Sequence, residues 1–220
     1  MSNIPGPVTF MLIGAVLGLM PFVLMLCTSF LKVAVVLALV RNATGVQQIP
    51  PSMALNGLAI ILTLFIMLPV VSDTWDIMQR HGFSERSTEM DAVELVEMAS
   101  ASSVPLKEFL QRNNNPAVSS ALEHAARRIW PERFHRLANT DNWALLILSF
   151  AISEISRAFE LGFLLYLPFI CIDLVVSNIL LAMGMMMVSP MTISLPFKLL
   201  LFVYLDGWAK IFHGLMLSYR

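Results

Sequence analysis

Met183-Gly184-Met185-Met186-Met187-Val188-Ser189-Pro190-Met191 is the stretch on which the fold turns, and five of its nine residues are methionine. A long apolar run from Pro168 ends in it, and a further proline, Pro196, follows it. Proline lacks a backbone donor and clashes with the preceding turn, so Gly184, Pro190 and Pro196 predict a break here rather than an uninterrupted helix. Methionine is unbranched and changes rotamer freely, so a cluster of thioethers reshapes around whatever it touches. A soft apolar loop of this kind makes a poor catalyst. It can fill a core, face lipid or act as a seal, and the pattern alone leaves all three open.

Composition supports a membrane setting for that loop. The 220 residues are 57% hydrophobic and 13% charged, with mean hydropathy +0.75, whereas soluble domains average about 25% charged residues. A net charge of −1 and a pI near 6.4 give no electrostatic footprint for nucleic acid, which is set aside as a partner. Cys27 and Cys171 both lie inside apolar runs. Neither a disulfide framework nor a metal spacing follows from such a pair, and both are expected to be buried free thiols. Met1 to Leu31 carries no charge; a cleavable signal normally opens with a basic region, so this end reads as a retained membrane segment.

Charge divides the chain into three parts: an N-terminal apolar hairpin (1–72), a polar helical insertion (73–142) and C-terminal apolar helices carrying the methionine-rich loop 183–191. Of the 29 charged side chains, 19 fall between Asp73 and Asp141. In the first part, Val8 to Val40 is apolar except for Lys32. As one helix it would measure about 50 Å against roughly 30 Å of hydrocarbon, with Pro21 the expected kink. A polar link from Arg41 to Pro51 leads to a second span, Met53 to Ser72. The insertion offers turns at Ser100–Ser103 and Asn113–Pro116, first-turn prolines at Pro105 and Pro116, and an amphipathic helix over 117–129. Trp143–Tyr166 and Pro168–Val188 are expected to form a second hairpin-like pair, and a last helix to run from Leu195 to Tyr219. The few basic residues of the first link, Lys32 and Arg41, put that link in the cytoplasm and the insertion on the periplasmic side.

The apolar parts nevertheless hold Lys32, Arg41, Glu154, Arg157, Glu160, Asp173, Lys198, Asp206 and Lys210. A charge at the bilayer centre costs about 2.5–3.5 kcal/mol on insertion scales, so these intramembrane or inter-subunit charges should face protein or water. Glu154, Arg157 and Glu160 follow at three-residue spacing, and Asp206 and Lys210 stand at i,i+4 with the acid first, the better order for a helical pair. Lys32 and Asp173 lack a partner nearby in sequence. Their partners must be tertiary or on another subunit, and a small bundle offers little interior in which to hide them.

Enzymes fit poorly. The chain has no glycine-rich phosphate loop, no HExxH and no GxSxG. His81, His124, His135 and His213 show no metal spacing, so neither metal nor cofactor is expected. Asp173 and Asp206 have no flanking sequence that would place a water between them as a protease dyad.

Several uncommon strings then come in order. Phe30-Leu31-Lys32, Val40-Arg41-Asn42-Ala43, Gly45-Val46-Gln47-Gln48-Ile49-Pro50-Pro51 and Leu55-Asn56-Gly57 resemble the first hairpin of the FliP/SctR family. Ser153-Glu154, Ala158-Phe159-Glu160-Leu161-Gly162-Phe163, Leu167-Pro168-Phe169 and Asp173-Leu174-Val175-Val176 resemble its later helices. Met183 through Pro190, Ser194-Leu195-Pro196-Phe197-Lys198 and Asp206-Gly207-Trp208 complete the likeness, which covers residues 8–72 and 143–219.

The resemblance implies an all-α, membrane-associated core subunit of the type III secretion export apparatus, in the bacterial inner membrane within the secretion-system basal body. Five copies would join SctS-type and SctT-type proteins, beside other inner-membrane ring and export-gate components, in a helically staggered cone. That cone would admit unfolded secreted substrates, with Met183, Met185, Met186, Met187 and Met191 as the pore gasket. Starting directly at an apolar helix, and carrying Phe30-Leu31-Lys32, the chain resembles the injectisome (virulence) branch more than the flagellar one. The alternative is a small ion or solute carrier using Glu154, Asp173 and Asp206 as a relay, although no internal repeat of the kind carriers often show is present.

Overall fold

The computed structural model describes Gly14, Gly18 and residues 21–46, 49–80 and 98–219. The start of the first apolar run, Gln47, Gln48 and the His81 region lie outside them. All regular structure among the described residues is helical. A segment Pro21–Cys27 precedes α1 (Phe30–Ala43), which turns into α2 (Ser52–Arg80). Then come α3 (Val104–Arg112), α4 (Pro116–Ile129), a 3-10 turn at Glu132–Leu137, α5 (Trp143–Ala182), α6 (Pro190–Tyr204) and α7 (Gly207–Leu217).

Helix α1 is the centre of the molecule. Lys32, Val33, Val36, Leu37, Val40 and Ala43 are its buried residues, a spacing that keeps one stripe facing inward over four turns. That stripe packs with Leu55, Ala59 and Leu62 of α2, Ala158 and Phe169 of α5, Phe202 of α6, and Ile211 and Leu215 of α7. At Gly162 of α5 the two backbones come close: a Cβ there would lie 2.2 Å from Leu39 Cδ1 and 3.2 Å from Leu39 Cβ. Glycine is what the approach requires.

A bend in the first apolar run lies at Thr28–Ser29, while the residues just before Pro21, where the kink is expected, lie outside those described. Pro21–Cys27 and Phe30–Ala43 meet at 78°. The Thr28 hydroxyl donates to the Leu24 carbonyl and accepts from the Phe30 N–H, so a side chain replaces the helical ladder where the axis turns. The second span is longer than expected, because α2 continues to Arg80 with Pro69 inside it.

The largest departure is α5. The expected pair Trp143–Tyr166 and Pro168–Val188 is one helix of 40 residues that carries Pro168 in its interior. A reversal there would have only Leu167 for a turn and would strand several backbone groups among apolar side chains. Continuing through the proline forfeits a single helical hydrogen bond. At about 60 Å, α5 is roughly twice the thickness of the hydrocarbon.

The chain breaks after Ala182, as the methionine stretch predicts. Gly184 takes φ 74, and Pro190 opens α6 in its first turn. Pro196, expected to interrupt the helix, lies inside α6. The expected helix Leu195–Tyr219 is two, α6 and α7, meeting at 58°. Asp206 at the bend has φ 49, a left-handed conformation that aspartate tolerates better than most residues. Gly207 leaves room for the Phe202 ring, whose Cε2 a Cβ would meet at 2.4 Å.

In the polar middle part, α3 and α4 carry their prolines in the first turn, and the Asn115 side chain caps α4 by accepting from the Ala117 N–H at 3.0 Å. Residues 100–102 are helical rather than a turn, the chain turning at Ser103. The Asn113–Asn115 turn is pinned to α5. Asn114 donates to Ser149 at 2.7 Å and accepts from Ser153 at 3.1 Å, while the Asn115 N–H donates to Ser153 at 3.0 Å.

Among the described residues two helices, α2 and α5, are long and apolar enough to cross a bilayer, and up to four spans result if each bent pair counts as one. Large apolar side chains stand exposed on both, including Leu64, Phe65 and Leu68 of α2 and Phe159, Phe163 and Leu167 of α5. Cys27 is a buried free thiol as expected; Cys171 is free but exposed on this outer face of α5. Helical phase decides that difference, since an apolar run does not reveal which of its sides faces inward.

Candidate functional site

Two charge clusters and the methionine segment make up the candidate site. The first cluster sits where α1 begins. Lys32 lies in the first turn of α1, where a cation is opposed by the helix dipole, and it is fully buried. Its Nζ stands 3.4 Å from Glu154 Oε1, the Glu154 side chain being equally buried. It also lies 3.4 Å from the centroid of the Tyr219 ring, within reach of a cation–π attraction. Arg157, one turn along α5, brings Nη1 to 3.6 Å from the same Glu154 oxygen and donates to the Asn113 carbonyl at 2.8 Å. The Tyr219 hydroxyl donates to Glu154 Oε2, and its ring stacks on Phe109 at 5.9 Å. Glu154 thus gathers α1, the insertion, α5 and the C-terminal residues at one carboxylate.

This corrects one expectation: a single chain has interior enough to hide Lys32. Of the two alternatives, tertiary or on another subunit, both residues find tertiary partners, and Lys32 and Asp173 do not pair with each other. Of the triad on α5, Arg157 reaches Glu154 but forms no ion pair with Glu160, which is exposed.

The second cluster joins the helices on either side of the methionine segment. Lys198 of α6, almost fully buried, puts Nζ 2.6 Å from Asp173 Oδ2 of α5. Ser194, one turn earlier on α6, donates to Asp173 Oδ1 at 2.6 Å. Both carboxylate oxygens are therefore taken, and Asp173 is not free to act with Asp206. The Gly45 turn between α1 and α2 packs here too, a Cβ on Gly45 falling 3.8 Å from Lys198 Nζ.

Asp206 and Lys210 form no ion pair within 4 Å; the Lys210 N–H instead donates to the Asp206 carbonyl at 3.1 Å. Asp206, left-handed in backbone, is the N-cap of α7 rather than part of its helical surface, so the two side chains do not meet as an i,i+4 pair. Both side chains are exposed. Arg41 donates to Ser52 at 2.8 Å across the first link.

Above the Asp173–Lys198 clamp, Met183, Met185, Met186, Met187 and Met191 are all exposed. Met186 is 81% and Met187 102% exposed. The reading of these methionines as packing within their own chain is thereby removed. Among the described residues no group of histidine, cysteine, aspartate or glutamate has the geometry of a metal site.

The family model described as "FliP family" matches residues 13–215, almost the whole chain and both charge clusters apart from Tyr219. The chain belongs to the FliP family. Among curated relatives, "Yop proteins translocation protein R" of Yersinia pestis is 48% identical over 219 residues, covering 100% of this chain and 99% of the relative. "Harpin secretion protein HrcR" of Erwinia amylovora is 44% identical, covering 97% and 96%. "Virulence protein YscR" of Salmonella typhimurium is 44% identical, covering 94% of each.

Sequence reasoning missed Tyr219, Ser194 and the Asn113–Asn114 turn as members of these clusters. Tyr219 carries no local signal, since it meets Glu154 only through the path of the helices. Ser149 and Ser153, spaced i,i+4 on α5, are a signal that could have pointed to the Asn113–Asn114 turn.

Proposed function

We propose that this chain is a core subunit of the export apparatus of a bacterial type III secretion system and not an enzyme. In this reading it is a multi-pass inner-membrane protein of the basal body. Five copies assemble with SctS-type and SctT-type proteins into a staggered cone through which unfolded substrates enter. The observation that carries the reading is the near full-length match to translocation and secretion proteins of the FliP family.

The reading extends to a division of labour. Met183, Met185, Met186, Met187 and Met191 form the gasket that closes the lumen. A ring of thioethers repels water and ions when closed, yet repacks around a chain of changing sequence. The Asp173–Lys198 clamp holds the two ends of that segment at a fixed separation, so that only the loop moves. Exposed Glu160, Asp206 and Lys210 contact neighbouring subunits, where their charges find partners. The Glu154 cluster is structural. A proton relay is disfavoured, because Glu154 and Asp173 are already engaged by cations within their own chain.

The test is complementation. A strain lacking this chain should lose secretion of type III substrates and regain it with the wild-type chain, while the isolated chain in liposomes conducts nothing. A pH-dependent flux through the isolated chain would instead establish the carrier.

A further inference from the structure

The most exposed thioethers in the methionine segment stand in contrast to two methionines of the interior. In the single chain Met187 and Met186 are 102% and 81% exposed, whereas Met67 and Met98 are 6% and 8% exposed; as lumen-facing gasket residues the first two would stay in reach of solutes entering the pore. A thioether accepts an oxygen atom from a peroxide at a rate set largely by access, and the product is polar and chiral where the reactant was apolar. In most proteins this change disturbs packing. In a gasket whose closure rests on excluding water, it removes the property on which closure depends.

We propose that Met186 and Met187 are sulfoxidation sites through which a hydroperoxide-class oxidant renders the closed segment wettable and ion-permeable. The inference rests on the gasket reading above. The step is a two-electron oxygen transfer. A sulfur lone pair attacks one oxygen of hydrogen peroxide, the S–O bond forms as the O–O bond breaks, and the departing oxygen leaves with both protons as water. Sulfur is oxidised and the peroxide is reduced, so no further reactant is needed. The sulfoxide oxygen is a strong acceptor placed where only thioethers and methyl groups stood. It recruits water into the constriction, and permeation of ions follows. Sulfoxides are reducible by enzyme, one class for each epimer, so the change is reversible. Neighbouring Met183, Met185 and Met191 are exposed as well, and oxidation at the tip makes the segment more open to further oxidation.

The experiment uses membrane vesicles carrying the assembled export apparatus, titrated with hydrogen peroxide. Sulfoxide at each methionine is quantified by peptide mass spectrometry, and ion leak is read in parallel. Met186 and Met187 should reach half-oxidation at a peroxide dose several-fold below that of Met67 and Met98. Leak should rise with that dose and fall again after treatment with the two methionine sulfoxide reductases together. In M186L/M187L, read against its own untreated leak, peroxide should add little. Met53, 87% exposed on α2, serves as a control: M53L should leave the response to peroxide unchanged.

Equal oxidation of Met67 and Met187 would overturn the proposal, as would sulfoxidation of Met186 and Met187 without a rise in leak. Alanine at Met185, Met186 and Met187 separates the two levels. If the alanine variant leaks without oxidant and oxidised wild type does not, the sulfoxidation inference alone fails. If neither leaks, the gasket reading fails.

Discussion

Lys32 Nζ lies 3.4 Å from Glu154 Oε1, and neither side chain reaches solvent. The pair spans 122 residues of sequence and fixes α1 against α5. Its members are not equivalent. Glu154 accepts from Lys32 and Tyr219 and lies beside Arg157, whereas Glu154 is the only ion-pair partner of Lys32 among the described residues.

Removing the carboxylate therefore strands more than removing the amine. E154Q should destabilise the chain by about 3–5 kcal/mol, the usual cost of leaving a buried charge unpaired. K32M should cost less, because Arg157 and Tyr219 still engage Glu154 and methionine fills the volume. Thermal unfolding of the purified chain in detergent orders the two variants; equal losses would contradict the shared-carboxylate account.

The contact of Gly162 with Leu39 sets the spacing of α1 and α5. G162A forces Leu39 aside and should destabilise by about 1–3 kcal/mol, as overpacking does. L39A in the same chain should return part of that loss. A double variant no more stable than G162A would show that the helices separate for another reason.

The Asp173–Lys198 clamp makes its own prediction. D173N leaves a nearly buried ammonium with a weaker acceptor, at a cost of about 1–3 kcal/mol. Its effect should concentrate in the segment between the helices, with faster proteolysis at residues 183–189 and unchanged protection at the Lys32 end. Uniform loss of protection along the chain would remove the idea of a local clamp.

The helical class, the membrane setting and the break after Ala182 were legible because composition and the Gly184–Pro190 pattern act locally. The amphipathic helix of the insertion was legible from its period. Pro168 misled, because a proline signals a turn only where polar residues can take over the freed backbone groups, and Leu167 cannot. The bend at Thr28 escaped for the opposite reason: a single hydroxyl turning back on its own helix looks like any other polar residue in an apolar run. Lys32 and Asp173 were visible as charges needing partners, yet which carboxylate or amine answered them depended on how α1, α5 and α6 cross. No spacing encodes that crossing. The exposure of Met186 and Met187 required the fold as well, since the sequence is the same for a packed cluster and a presented one.

The central claim is that the methionine segment seals a conducting lumen. The direct measurement is ion leak across membranes carrying the assembled apparatus with Met185, Met186 and Met187 changed to alanine, with assembly checked on a native gel and secretion followed in parallel. A several-fold rise in leak with the complex intact is the expected result. Leak unchanged from wild type in an intact complex would contradict the account and return the methionines to contacts with lipid or neighbouring chains.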